Sequence, residues 1–173
     1  MALLPPLLLT GGPASGKTTT ARLLASMTPH CAALDVDDLR QLIIGGHLAP
    51  WQGAEGRAQH LLGVRNAAAL AANLRDQGFD VIISDVVDPD LLEHYRALIG
   101  GVIVIRLAVD GSAARARAAS RPRYLSDDRF EALHEQQRRL LGVDLEVAVS
   151  ALSIEEQVRT VRDAWVRLAE QPA

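Results

Sequence analysis

Gly11-Gly12-Pro13-Ala14-Ser15-Gly16-Lys17-Thr18 is the stretch that decides the fold of this 173-residue chain. It matches the phosphate-binding pattern G-x-x-x-x-G-K-[ST], the P-loop, in full. An apolar run, Leu7–Thr10, precedes it and a helical pattern, Lys17–Ser26, follows it, which is the context that a P-loop requires. The glycines let backbone N–H groups curl around phosphate oxygens, and the helix N-terminus adds its positive dipole. The stretch therefore predicts a nucleoside triphosphate site.

The loop also predicts the ligands and the roles of single residues. Lys17 is expected to reach the β- and γ-phosphates and to act in catalysis, while the Thr18 hydroxyl is expected to ligate Mg²⁺. Lys17 is the single lysine among 18 basic residues, which indicates that a compact ammonium is needed there and not a planar guanidinium. ATP and Mg²⁺ are the predicted cofactors. The residues expected to bind the nucleotide here are Gly11, Gly12, Pro13, Ala14, Ser15, Gly16, Lys17, Thr18 and Thr19.

Length and composition exclude several other classes of protein. The chain suits one domain, expected to span 1–173, and its net charge of -3 argues against a broad basic surface for duplex nucleic acid. Cys31 is the single cysteine, which excludes an internal disulfide and a cysteine-based zinc site and suits a cytoplasmic location. No apolar run is long enough to span a membrane. We expect a monomer or homodimer.

Alternating strand and helix patterns predict a three-layer α/β domain with a parallel sheet. The short apolar runs expected to form buried strands are Leu7–Thr10, Ala32–Val36, Asp80–Asp85, Val102–Val109 and Leu145–Val149. The segments expected to be helical are Lys17–Ser26, Asp38–Ile44, Ala54–Gln77, Pro89–Ile99, Ala113–Ser120, Asp127–Leu141 and Ile154–Glu170, with Asp88, Ser126 and Ser153 as N-caps.

The P-loop does not by itself identify a reaction. A GTPase normally carries an Asn-Lys-x-Asp motif, which this chain lacks because Lys17 is its only lysine. Helicases and transporters normally need a longer chain. A small phosphotransferase remains.

Acidic residues follow the second predicted strand, where the carboxyl ends of a parallel sheet face the ligand. Alternation along the strand would place Asp35 and Asp37 on one face and Asp38 on the other. Asp37 and Arg40 can meet if a helix begins here, because they are three residues apart. We predict that Asp37 orients and deprotonates the acceptor hydroxyl and that Arg40 binds the acceptor or the carboxylate. Asp35 and Asp85 are the rivals of Asp37 for the role of base, and helix capping is the alternative for the acids after this strand.

Val81-Ile82-Ile83-Ser84-Asp85 resembles a Walker B strand, whose aspartate holds Mg²⁺ directly or through water. Asp85 is therefore predicted to lie at the metal and the substrate, and a turn or cap role is its alternative. The five histidines, His60 among them, show no metal-ligand spacing and are interpreted as surface or packing residues. Trp51 lies in a glycine-containing loop, 45–53, that is predicted to cover the acceptor; an ordinary surface loop is the alternative.

A cluster of arginines follows the fourth predicted strand. Arg115, Arg117, Arg121 and Arg123 surround Pro122, and Arg117 and Arg121 are four residues apart and share a helix face. Cationic side chains on a mobile segment can close over a triphosphate and neutralise developing charge. We predict that Arg117 or Arg121 binds ATP and that Arg121 acts in catalysis; an exposed basic helix is the alternative.

These motifs together resemble the small P-loop kinases related to chloramphenicol phosphotransferase, tunicamycin-resistance proteins, zeta-type toxins and polynucleotide kinase. The resemblance covers nearly the whole chain. It implies a P-loop NTPase fold with a five-stranded parallel sheet in the order 2-3-1-4-5 and a short arginine-rich lid at about 117–130. Asp37…Arg40 resembles the D-x-x-R of polynucleotide kinases, and Arg117 and Arg121 resemble the R-x-x-x-R of the lid.

The resemblance does not identify the acceptor. A small molecule such as an antibiotic, nucleoside or sugar is expected. A nucleic-acid 5′-hydroxyl kinase and a regulatory ATP-binding protein without transfer activity are the alternatives.

Overall fold

The computed structural model describes residues 3–119 and 125–171. Its centre is a sheet of five parallel strands in the order β2-β3-β1-β4-β5. This confirms the predicted fold class and the order implied by the resemblance. The strands are β1 (Leu7–Gly11), β2 (Cys31–Asp35), β3 (Asp80–Ser84), β4 (Ile103–Ala108) and β5 (Leu145–Ala148).

Seven helices among the described residues connect and cover the strands. They are α1 (Lys17–Met27), α2 (Val36–Arg40), α3 (Gly53–Asp76), α4 (Pro89–Leu98), α5 (Gly111–Ala118), α6 (Asp127–Arg139) and α7 (Ile154–Ala169). None of the described helices is long and apolar enough to cross a membrane.

The central strands β1 and β3 are buried along their whole length because both faces of the sheet are covered there, whereas β2 is half-buried and β4 and β5 include Arg106 and Glu146. Alternate side chains point to opposite faces. Leu8 therefore lies in a core with residues of α3 and α4, whereas Leu7 and Leu9 lie in a second core with residues of α1 and α7. Burial on both faces holds the carboxyl ends of β1, β2 and β3 in one place, which is where the polar residues follow.

Most helix ends follow the predicted signals, and the segment after β2 requires two corrections. Asp88, Ser126 and Ser153 cap α4, α6 and α7 as expected. The helix predicted over Asp38–Ile44 is α2, which spans Val36–Arg40 because Asp35 caps it. The second strand ends at Asp35 and not at Val36, because the Asp35 carboxylate accepts a hydrogen bond from the Asp37 backbone N–H and caps α2. The strand alternation expected for Asp35 and Asp37 is therefore wrong.

Candidate functional site

A cleft of about 940 Å³ opens where β1, β2 and β3 end. It brings together the P-loop, α2 and the segment after β3, as expected for the carboxyl ends of parallel strands. The lining residues used below are Lys17, Thr18, Asp35, Asp37, Arg40, His47, Trp51, Arg57, His60, Asp85, Asp88 and Arg129.

The P-loop is shaped for close backbone approach. Gly16 has φ +92°, and Ala14, at φ 59°, shares the left-handed region that favours glycine. A Cβ on Gly11 would lie 2.5 Å from the Leu107 carbonyl oxygen, so only glycine fits beside β4. The Lys17 ammonium donates to the carbonyl oxygens of Gly11 and Gly12, at 2.9 and 3.0 Å. The loop therefore has the conformation of a P-loop, and Lys17 contacts its first two residues and lines the cleft.

Thr18 and Asp35 form the closest oxygen pair beside the loop. The Thr18 Oγ1 donates to Asp35 Oδ2 at 2.6 Å, and Asp35 Oδ1 caps α2. Two hard oxygen donors thus lie at the first turn of the P-loop helix, which is the chemistry that Mg²⁺ prefers. No group of three or more His, Cys, Asp or Glu side chains suited to a metal occurs in the described part of the chain. The pair suits an ion that takes most of its ligands from phosphate and water.

Asp37 and Arg40 are joined as their spacing predicted. Arg40 Nη1 donates to Asp37 Oδ1 at 2.9 Å, and Arg40 Nη2 donates to the Leu48 carbonyl at 2.8 Å. The Arg40 side chain is 5% exposed whereas that of Asp37 is 69% exposed, so a fixed guanidinium presents an accessible carboxylate to the cleft. The pKa of Asp37 is raised by desolvation and by repulsion from Asp85 and Asp35, against the opposing effect of Arg40.

Asp85 has buried partners that the sequence did not indicate. Its side chain is 3% exposed, and its oxygens accept hydrogen bonds from His60 Nε2 at 2.9 Å and from the Tyr95 hydroxyl at 2.8 Å. Burial and the Asp85 carboxylate raise the pKa of Tyr95 well above its usual value, so the hydroxyl remains a donor. Thr18 donates to Asp35 and not to Asp85. The interpretation of His60 as an ordinary packing residue overlooked this contact.

Two contacts between α3 and the segment after β3 hold His60 at the cleft, and the residues in each segment have the same spacing. Arg57 and His60 are three residues apart on α3, and Asp85 and Asp88 are three apart after β3. Arg57 forms a two-pronged ion pair with Asp88, with one N–O distance of 3.0 Å, while His60 binds Asp85. The matching spacings are a signal that was present in the sequence.

The loop at 45–53 lines the cleft, and its predicted contact with the acceptor stays a prediction. His47 Nδ1 lies 3.2 Å from the Arg40 carbonyl, and Trp51 is 43% exposed. The Arg129 guanidinium, in the first turn of α6, lies 4.8 Å from the centre of the Trp51 ring. Arg129 belongs to the predicted lid range, 117–130, but was not singled out as a site residue.

The other lid arginines are placed differently. Arg117 Nη2 donates to the Val149 carbonyl at 2.6 Å, which holds the end of α5 against the segment after β5, and Arg117 is not among the residues that line the cleft. Arg121 lies outside the described residues, so its predicted contact with ATP stays a prediction.

Two buried side chains support the P-loop from other helices. His134 of α6 donates its Nε2–H to the Pro13 carbonyl at 3.0 Å, and burial lowers the pKa of this imidazole. Gln157 of α7 donates to the Ser15 carbonyl at 3.0 Å and to Thr20 Oγ1 at 2.8 Å. The loop is therefore held by the last two described helices as well as by its own strand.

Comparison with known proteins shows the fold. No family model and no curated protein matches the sequence. Among solved structures, shikimate kinase from Aquifex aeolicus matches with a TM-score of 0.70 at 19% identity, covering 96% of this chain and 99% of that one. A sugar kinase from Janibacter sp. matches with 0.70 at 16% (96% and 96%), and a gluconokinase from Sinorhizobium meliloti with 0.66 at 21% (98% and 96%). The chain has the P-loop kinase fold, as the resemblance implied.

Proposed function

We propose that this protein is an ATP-dependent kinase that transfers the γ-phosphate to a hydroxyl group of a small molecule. One observation carries the proposal: the P-loop and the accessible Asp37 carboxylate line the same cleft. The three solved structures above are named as kinases of small molecules, which agrees with this reading of the cleft. We also propose that the protein is related to chloramphenicol phosphotransferase and its relatives. We propose further that residues 1–173 form one kinase domain with a lid at about 117–130.

Transfer requires two groups held in line, and the cleft offers a site for each. The backbone N–H groups of the loop and the Lys17 ammonium would bind the β- and γ-phosphates. The acceptor hydroxyl would donate a hydrogen bond to Asp37. Its oxygen attacks the γ-phosphorus, the bond from that phosphorus to the bridging β,γ-oxygen breaks, ADP leaves, and the acceptor proton passes to the Asp37 carboxylate. Arg40 holds this carboxylate in place through its contacts with Asp37 and Leu48.

The geometry favours Asp37 over its two rivals as the base. Asp35 is engaged by Thr18 and by the α2 backbone, and Asp85 is buried under His60 and Tyr95. A base must reach the proton that it accepts, and of the three Asp37 has the accessible side chain.

Thr18 and Asp35 are the residues proposed to hold Mg²⁺, in place of the predicted pair of Thr18 and Asp85. The adjoining hydroxyl and carboxylate oxygens of Thr18 and Asp35 fit a magnesium ion that a nucleotide shares. When bound, the ion supplies charge neutralisation on the phosphates. We propose that Asp85 supports the acceptor side of the cleft through His60.

The test is an acceptor screen with a matched inactive variant. The protein is incubated with Mg-ATP and panels of sugars, hydroxy acids, nucleosides, antibiotics and 5′-hydroxyl oligonucleotides. ADP release and a mass gain of one phosphoryl group are measured. Lys17→Ala, checked for folding by circular dichroism, is the control and should lose both signals.

A phosphorylated small molecule supports the proposal. Phosphorylation of oligonucleotides alone would replace it with the nucleic-acid alternative. Tight ATP binding with no modified acceptor and no ADP release would replace it with the regulatory one.

A further inference from the structure

Arg129 differs from the other arginines that line the cleft. Arg40 is paired with Asp37, and Arg57 is paired with Asp88. Across residues 3–119 and 125–171, Arg129 forms no ion pair, and its Nε is buried with no hydrogen-bond partner. The buried Nε of Arg40 also lacks a partner, but its two terminal nitrogens are bound. Arg129 therefore brings a positive charge to the cleft that no described carboxylate neutralises.

The position of Arg129 places its positive charge on the side of the cleft where the acceptor is proposed to bind. The Arg129 guanidinium lies over the Trp51 ring, with its central carbon 4.8 Å from the ring centre, and Trp51 belongs to the 45–53 loop. That loop is tied to α2, because Arg40 donates to the Leu48 carbonyl and His47 contacts the Arg40 carbonyl. Arg129 is thus joined, through one loop, to the helix that presents the proposed base.

The contact with Trp51 also favours one class of ligand for the guanidinium. A guanidinium that lies over an aromatic ring keeps its plane, and its N–H groups point outward along that plane. A fork of N–H donors in one plane matches two oxygens of a carboxylate or phosphate group. No carboxylate within residues 3–119 and 125–171 pairs with the Arg129 guanidinium, so an anionic ligand that accepts from its N–H groups gains binding free energy without displacing an existing ion pair.

We infer that the acceptor carries an anionic oxygen group, a carboxylate or a phosphate, and that Arg129 binds it beside Trp51. This rests on the proposed function and names the class of its substrate: small hydroxylated acids. The anionic group is held at Arg129 while a hydroxyl of the same molecule lies at Asp37. Arg129 is thereby the residue that selects the acceptor, and neutral alcohols of the same skeleton are poor substrates.

The experiment compares matched pairs of probes: gluconate with glucose, shikimate with its methyl ester, and glycerol 3-phosphate with glycerol. Turnover is measured with Mg-ATP for the wild type, Arg129→Gln and Arg138→Gln. Arg138 is the control because it lies on the same helix, is 64% exposed and pairs with Glu135. Binding is measured separately by tryptophan emission, with Trp51→Phe to show that the signal comes from Trp51.

We expect at least one acid to be phosphorylated with kcat/KM about 10- to 100-fold above its neutral partner, as for a hydrogen bond to a charged group. Arg129→Gln should remove this preference by raising the KM for the acid, with the KM for ATP unchanged. Arg138→Gln should behave as the wild type. The acid, and not its partner, should change the emission of Trp51.

Three outcomes overturn the inference, and a fourth overturns the kinase proposal alone. A neutral acceptor used as well as its acid refutes it and leaves the kinase proposal standing. A rise in the KM for ATP in Arg129→Gln places the arginine on the nucleotide instead, and no emission change with any acid denies the binding site. If acids bind at Trp51 in the wild type but not in Arg129→Gln, and nothing is phosphorylated, the anion site stands and the kinase proposal fails.

Discussion

Replacing Asp37 with asparagine should stop phosphoryl transfer without unfolding the protein. Asparagine retains the shape of the side chain and an oxygen for the Arg40 guanidinium, which donates to Asp37 Oδ1 at 2.9 Å. It removes the negative charge and the capacity to accept the acceptor proton. We expect kcat to fall by about a hundred-fold or more, which corresponds to about 2.7 kcal/mol in the activation free energy.

The stability of the variant should change little. The Asp37 side chain is 69% exposed, and its ion pair with Arg40 spans three residues of one helix. Exposed helical pairs contribute about 0.3–0.5 kcal/mol, and the same range is expected here because asparagine keeps an oxygen acceptor for the buried Arg40 guanidinium. For a domain of this size, about 1 kcal/mol shifts Tm by about 2–4 °C, so the expected loss is about 1–2 °C. The KM for ATP should stay within about threefold of the wild type, because the asparagine leaves the P-loop intact.

The assay is coupled ADP release with an acceptor from the screen, together with ATP titration and thermal unfolding. Asp38→Asn is the matched control, since Asp38 is the next residue and pairs with Arg22 on the surface. Transfer by Asp37→Asn at the wild-type rate would refute the assignment. If Asp85→Asn alone abolished transfer while ATP still bound, the base would belong to β3 instead.

The same residue predicts the acid side of the pH profile. A base works when deprotonated, so kcat/KM should fall as the pH drops through the pKa of Asp37. Desolvation and the carboxylates of Asp85 and Asp35 raise this pKa, so the fall should begin at a higher pH than for an ordinary aspartate. Asp85→Asn removes one negative neighbour and should move the midpoint of the acid limb of kcat/KM to lower pH. The rates are measured between pH 4 and pH 7, about the range that brackets a raised carboxyl pKa. An unchanged midpoint would show that another group titrates.

Two further variants test the supports of the site. Gly12→Ala places a Cβ 2.5 Å from the His134 ring, which must then shift away from the P-loop. The affinity for ATP should therefore fall about tenfold or more in titrations. Gly100→Ala is the control, because its Cβ would have nothing within 4 Å, and it should bind ATP as the wild type does. Tyr95→Phe removes a buried donor to the Asp85 carboxylate, so the free energy of unfolding in urea should fall by about 1.5–3 kcal/mol, and an unchanged midpoint would mean that the bond adds nothing.

The P-loop shows what a sequence determines alone. Its function depends on backbone conformations within eight consecutive residues, Gly11–Thr18, so the residue types already specify the local geometry. The central strands could also be predicted, because β1 and β3 are covered on both faces and their inner residues are therefore apolar. With helices between such strands, a parallel α/β fold followed, and the spacing of Asp37 and Arg40 predicted their contact within one helix turn.

Tertiary structure decided how the acids divide their roles. Asp35, Asp37 and Asp85 all follow strand ends, and the sequence left the three as rivals. Their roles separate because Asp35 meets Thr18 and caps α2, while Asp85 is enclosed by His60 of α3 and Tyr95 of α4. Such contacts join elements that are distant along the chain, and they depend on how the helices pack over the sheet.

Arg129 and Trp51 show the same limit most clearly. Trp51 was predicted to lie at the acceptor, but Arg129 looks like an ordinary polar residue in its own segment, and no periodicity relates the two. Only the packing of α6 beside the 45–53 loop brings the guanidinium over the indole ring. Local backbone conformation depends on neighbouring residue types and can be predicted from them. The composition of a cleft depends on which distant side chains the fold brings to one edge of the sheet.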